Sequence, residues 1–204
     1  MFACIGQLPE RNRHRSTMTT SNEDRPRQRV LALLFDGVEE IEAITPVDLL
    51  RRADIKVVMT SVNEQRTVQG RSGIRIQTDK TWSEVEDEHF DLLFIPGGPG
   101  IMALLGNEAI LQKIRQCERS AQWIAAICAA PKLLATAGIL ENRAATSHAS
   151  VRADLPLPSD ERIVLSDRII TSQGAGTATE LGLKLVETLT DAKTAKSISQ
   201  SIHF

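Results

Sequence analysis

Cys128 ends the apolar run Trp123 to Ile127 and is followed by Ala129-Ala130-Pro131, Lys132, Leu133 and Leu134, the pattern of a buried strand breaking into a helix. A cysteine there faces unpaired backbone N–H groups and the positive end of a helix dipole, which favour thiolate over thiol. The same amides can hold an oxyanion, as at the strand-to-helix elbow of hydrolases. The other reading of these residues is a small thiol packed in a sheet, and position alone does not choose between them. A second reactive run, Glu39-Glu40-Ile41-Glu42, follows the first strand. Dipole pairing in a first helical turn accounts for Glu39 and Glu40, which are expected to stay in solvent. Glu42, spaced i, i+3 from Glu39, can point inward. A carboxyl beside a thiolate must share one proton with it, leaving an acid or base in place. A loop farther along the chain carries His148, a position in which a lone histidine is often an ordinary surface residue.

The elements that must bring these residues together alternate between two periods. Arg29 to Phe35, Lys56 to Val62, Asp91 to Ile95, Trp123 to Ile127, Arg143 to Ser147, Arg162 to Leu165 and Ile169 to Ser172 read as strands. Val68 to Thr78 and a short run before Trp82 form a smaller hairpin region. Helices are expected from after Gly37 to Arg52, over Glu108 to Ser120, from the elbow to Ala137, over Thr177 to Leu189 and from Asp191 to about Ile202. On the Glu108 to Ser120 helix Cys117 shares a face with Ile110 and Ile114, which makes it a core residue. Such alternation specifies an α/β three-layer sandwich with a mostly parallel sheet, whose reactive groups gather at the carboxyl ends of its strands.

Composition limits the partners. With 24 basic and 26 acidic residues the net charge is −2, so nothing draws the chain to nucleic acid or an anionic membrane. No apolar run nears the roughly 20 residues that span a bilayer. Three cysteines suit a reducing, cytoplasmic compartment better than a disulfide framework. Residues 1–28, rich in Arg and in Ser and Thr without apolar periodicity, read as a disordered leader or as sequence upstream of a true start at Met18; residues 29–204 form the α/β domain. Cys4 in that leader is incidental.

Four segments, Gly37-Val38-Glu39-Glu40-Ile41-Glu42, Pro96-Gly97-Gly98, Ala126-Ile127-Cys128-Ala129-Ala130-Pro131 and Thr171-Ser172-Gln173-Gly174-Ala175-Gly176-Thr177, together resemble the ThiJ/PfpI superfamily, most closely its DJ-one-like branch. The resemblance runs in order from about Arg29 to about Ile202. It implies a flavodoxin-like fold, a homodimer, Cys128 as an oxidisable nucleophile and Glu42 as its protonated partner. It further implies that Gly98 and Ala129 donate backbone N–H groups to an oxyanion, that His148 lies near the cysteine, and that Asp48 and Arg52 form a pair close to the dimer interface. Ser72 stands where many relatives carry an arginine, with Arg71 one residue away; Gln173 and Ala175 also depart from the pattern, which bears on anion selectivity.

The chemistry so implied is glutathione-independent conversion of methylglyoxal or glyoxal to a hydroxy acid, or deglycation by the same hemithioacetal route, with no metal or cofactor. The alternative is a redox sensor or holding chaperone whose cysteine oxidises to a sulfinic acid. A triad amidotransferase or protease ranks below both, because Ser150 and Ala129 occupy the positions where those branches need an acid and a histidine.

Overall fold

The computed structural model describes residues 28–204; the expected leader, Gln28 apart, and Cys4 lie outside the described residues. Arg29–Leu34 forms β1, buried throughout from Val30 to Leu34, as a strand covered on both faces requires. It leads through Asp36 and Gly37 into α1, Glu40–Arg52. β2 (Lys56–Ser61) follows, then the antiparallel pair β3 (Thr67–Gln69) and β4 (Arg75–Gln77), and β5 (Lys80–Thr81). β6 (Leu92–Ile95) feeds a short α2 (Ile101–Leu104), which periodicity did not anticipate, and α3 (Glu108–Arg119). β7 (Trp123–Ile127) ends at the elbow before α4 (Pro131–Thr136). β8 (Ile163–Ser166), β9 (Ile169–Ser172), α5 (Ala178–Leu189) and α6 (Ala192–Ser201) complete the order.

The main sheet runs β5-β2-β1-β6-β7-β9-β8, parallel except for β8 against β9. Strand order reverses between β1 and β6, one flanked by β2 and the other by β7. At such a switch point the loops leaving adjacent strands diverge to opposite faces and open a crevice. The loops that begin at Phe35, Pro96 and Cys128 border it. Expected and observed strands agree to within a residue or two except at Arg143 to Ser147. There only Ala145 forms a bridge, to Pro158. The backbone bonds of Ala145 go to Leu157 and Ser159, and the Thr146 N–H goes to the Thr171 hydroxyl at 2.9 Å, so no ladder can propagate. Ser147 therefore stands in a loop rather than at a strand end.

Helices cover both faces, and a close approach to α5 holds α1 in place. Its Pro46 and Leu49 press on Gly182 of α5: a Cβ placed at Gly182 would lie 2.6 Å from Leu49 Cδ1 and 3.0 Å from Pro46 Cα. Glycine lets the backbones approach, and Pro46, although inside a helix, contributes its ring and backbone to that contact. Because α1 carries Glu42, this packing sets the height at which the carboxyl enters the crevice. Cys117 is 3% exposed among Ile110, Ile114 and the sheet, the core position its spacing predicts.

Replacing Gly182 by Val should therefore lower stability by about 1–3 kcal/mol through overpacking. Urea unfolding of the variant checks this; a midpoint equal to or above that of the unaltered chain would contradict it.

Candidate functional site

Cys128 adopts φ 65°, a left-handed conformation that costs a non-glycine residue about 1–2 kcal/mol. Two backbone bonds hold it there: its N–H donates to Ser172 O, and its carbonyl accepts from His148 N–H, both at 2.9 Å. The strained turn lifts the thiol out of the sheet at the carboxyl end of β7, half buried, in the manner of a nucleophile elbow.

Glu42 reaches the sulfur from α1. Its carboxyl is 1% exposed, and Oε2 accepts from Gly97 N–H at 3.0 Å. The other polar partners are the Ala175 N–H and the Cys128 thiol. Gly97 has no room for a side chain, since a Cβ there would stand 2.6 Å from both Cys128 Cβ and Glu42 Oε2. Gly98, at φ 112°, turns its N–H toward the sulfur, as does Ala129. All four expected participants, Cys128, Glu42, Gly98 and Ala129, thus meet at one point.

Burial is the largest influence on both ionisable groups. It pushes Glu42 up to about 7, helped by the neighbouring charge of Glu39 and opposed by hydrogen bonds from Cys128, Gly97 and Ala175. Burial, followed by the charge and hydrogen bond of Glu42, pushes the Cys128 thiol up to about 12 against the Gly98 and Ala129 amides. The expectation that the backbone N–H groups and the helix dipole favour thiolate over thiol is therefore corrected. Desolvation and the neighbouring Glu42 outweigh the two amides that favour the anion. A sulfur anion forms when the proton sits on Glu42, and over neutral pH the pair holds one proton between two sites.

Glu39 and Glu40 do not stay in solvent, which corrects a second expectation. Glu39, 8% exposed, caps α1 by accepting the Glu42 N–H at 2.7 Å and so fixes the backbone that carries the reactive carboxyl. Glu40 accepts the Ser72 N–H at 2.8 Å and pins the loop after β3 over the crevice. Nothing in the residue pattern separates a glutamate capping its own helix from one in water.

The crevice is a pocket of about 580 Å³, with Cys128 and Glu42 in its wall beside Pro99, Met102, Arg71, Arg162 and Gly174 to Thr177. His148 also lines it. Its Nδ1 accepts the Ser150 N–H at 3.2 Å and lies 2.8 Å from the Ser150 hydroxyl, so the neutral ring can donate only through Nε2. Gln173 lines the pocket while its amide donates to Asp160 O at 2.8 Å. Asp48 and Arg52 make an exposed ion pair at 2.7 Å on α1 and do not line the pocket. Among the described residues no group of three or more His, Cys, Asp or Glu is placed to hold a metal, and no helix is long and apolar enough to cross a membrane. The Gly97 and Ala175 amides, the Glu39 cap and Arg162 escaped the residue pattern, because backbone donors carry no side-chain signature and exposed arginines occur everywhere.

The raised Glu42 value has a consequence for stability. The folded chain keeps this proton up to about pH 7, whereas an unfolded glutamate releases it near 4.5, so the folded state binds more protons in between and stability falls as pH rises. Relative to Glu42→Gln, the unaltered chain should lose on the order of 3 kcal/mol of unfolding free energy across that window. Parallel curves for the two proteins in urea melts at several pH values would contradict the burial of this acid.

The chain resembles known proteins in both sequence and structure. The model of the DJ-1/PfpI family matches residues 28–188. The glutathione-independent glyoxalase DJR-1.2 of Caenorhabditis elegans is 35% identical over 167 residues, 80% of this chain and 89% of its own. Protein dj-1beta of Drosophila melanogaster is 33% identical over 177 residues, 84% of this chain and 95% of its own. The solved structure of oxidized Toxoplasma gondii DJ-1 superposes with a TM-score of 0.84 at 32% identity, covering 87% of this chain and 98% of that one. The ordered motifs, the doubly covered parallel sheet and these matches lead to one conclusion: this chain belongs to the DJ-1/PfpI family.

Proposed function

We propose that the protein is a glutathione-independent glyoxalase that converts small 2-oxoaldehydes such as methylglyoxal into 2-hydroxy acids through a covalent adduct on Cys128. The observation that carries this is the contact between a thiol on a strained elbow and a buried carboxyl whose proton is retained to about pH 7. Relatives in Caenorhabditis elegans and Schizosaccharomyces pombe named as glutathione-independent glyoxalases support it.

The reaction needs no external oxidant, because the aldehyde carbon is oxidised while the adjacent ketone carbon is reduced. With the proton on Glu42, the Cys128 sulfur adds to the aldehyde carbon, and the new oxyanion faces the Gly98 and Ala129 amides before Glu42 protonates it. Glu42, now a carboxylate, takes the C–H proton of the hemithioacetal to give an enediol. Return of a proton to the former ketone carbon leaves a 2-hydroxy thioester. Water then cleaves the C–S bond, releasing the hydroxy acid and restoring the thiol. His148, able to donate only through Nε2, is assigned to the ketone oxygen, whose negative charge grows as the enediol forms. Hydrolytic removal of the same adduct from glycated amino groups falls within this chemistry; that the protein works as a homodimer in the cytoplasm is a separate part of the proposal, which rests on the family resemblance alone.

A second use of the site follows from the same amides. The Gly98 and Ala129 N–H groups and protonated Glu42 are equally suited to hold a sulfinate, formed when the sulfur anion attacks two hydrogen peroxide molecules in turn and releases one water from each. In that use Cys128 senses peroxide rather than turning over aldehydes.

Lactate formation from methylglyoxal is the test. Cys128→Ser should fall to the uncatalysed background, Glu42→Gln should lose about 10²–10⁴ in kcat, and His148→Ala should lose about tenfold. Unaltered lactate production by Cys128→Ser would overturn the covalent route, and stoichiometric peroxide uptake at Cys128 without aldehyde turnover would transfer the site to sensing.

A further inference from the structure

The pocket has an order of charge that a small neutral aldehyde does not use. At its floor lies the Cys128–Glu42 pair, with Glu39 beside it, 8% exposed and tied to the Glu42 N–H at 2.7 Å. The Gly98 and Ala129 amides face the sulfur and serve an oxygen formed at the reacting atom; a substrate's own carboxylate placed beside Glu39 and the Cys128–Glu42 pair would meet acidic groups within a low-dielectric wall. The rim has the opposite sign. Arg71 lines the pocket, and its guanidinium makes no hydrogen bond or ion pair with any described residue. Its backbone is nonetheless held firmly: the Arg71 N–H donates to Val38 O at 2.8 Å, and the next residue, Ser72, is fastened to Glu40 at 2.8 Å. Arg162 also lines the pocket; Glu180 accepts from its Nε at 3.0 Å and its Nη2 at 2.6 Å, and Gly176 O accepts from Nη2 at 3.1 Å, so its charge is paired while its Nη1 has no partner among the described residues.

A floor that receives an oxygen anion only at the sulfur, and is acidic beside it, beneath a rim that carries an unpaired guanidinium orients a molecule with a carbonyl at one end and a negative charge at the other. We infer that the pocket is built for 2-oxoaldehydes carrying a carboxylate at the far end of the chain, the carbonyls meeting Cys128 while Arg71, assisted by Arg162, receives the carboxylate. Ser72, at the neighbouring position, does not line the pocket, and its N–H is already spent on Glu40. Arg71 supplies the charge instead. As substrates, these compounds rest on the glyoxalase proposal; as ligands, they do not.

Two measurements separate the cases. The first needs no turnover: the rates at which 3-maleimidopropionate and N-ethylmaleimide alkylate Cys128, read on its peptide by mass spectrometry. The anionic-to-neutral ratio should fall about fivefold in Arg71→Gln, the size of one charge contact in water-like surroundings, and recover in Arg71→Lys. About 0.5 M salt should flatten the ratio in the unaltered chain. The second is the ratio of kcat/KM for 4,5-dioxopentanoate over methylglyoxal, which should fall by a similar factor in Arg71→Gln. An alkylation ratio that ignores Arg71 and salt overturns the anion site, whatever the turnover. A ratio that responds, with neither aldehyde consumed, keeps the anion site and removes the glyoxalase chemistry.

Discussion

The site depends on one interaction, the burial of a glutamic acid against a cysteine. Moving an ionised carboxyl out of water is costly, and the cost is relieved by keeping the proton and by hydrogen bonds to the carboxyl oxygens. Glu42 uses both means: its proton is retained to about pH 7, and the Gly97 and Ala175 amides hold its oxygens. That proton is also what a sulfur anion requires from a neighbour. The energetic problem of burying Glu42 and the chemical problem of activating Cys128 thus have one solution. The fold contributes the constraint that neither group can leave the other: α1 is locked onto α5 at Gly182, and β7 ends at a turn secured on both sides.

This explains why strain is located at Cys128. A residue at φ 65° survives only where surrounding bonds determine its conformation, and here Ser172 and His148 provide them from two different chain segments. Gly97 and Gly98 complete the arrangement from a third. One has no space for a Cβ, and the other occupies a backbone region that side chains avoid, so the loop after β6 can approach the sulfur closely enough to present an N–H. Convergence of three strand ends follows from the reversal of strand order beside β1, so topology rather than local sequence places the amides.

Much of this was legible in the residues. Buried apolar runs marked the strands of the main sheet to within a residue or two, because strands covered on both faces leave an uninterrupted signature. The elbow was legible because an apolar run ends abruptly at Cys128 and a helix-compatible segment follows. Arg143 to Ser147 deceived because its apolar content comes from packing a loop, with backbone bonds going to Leu157, Ser159 and a Thr171 hydroxyl. The partition of the three glutamates was half legible: i, i+3 spacing pointed Glu42 inward, yet Glu39 and Glu40 are drawn in too, one by its helix end and one by the Ser72 amide. The thiol's electrostatics were misjudged for a quantitative reason. Two backbone amides favour the anion, while desolvation and the charge and hydrogen bond of Glu42 act against it with greater effect.

The central claim is that Cys128 and Glu42 titrate as one unit, and the pH profile of Cys128 alkylation by iodoacetamide tests it most directly. Across the neutral range the account predicts a rise in rate near pH 7 in the unaltered chain, where the pair loses its first proton. In Glu42→Gln that step should vanish, leaving only a rise at more alkaline pH as the buried thiol ionises alone. A step near pH 7 that persists unchanged in Glu42→Gln would show that the sulfur titrates independently of Glu42, and would contradict the account.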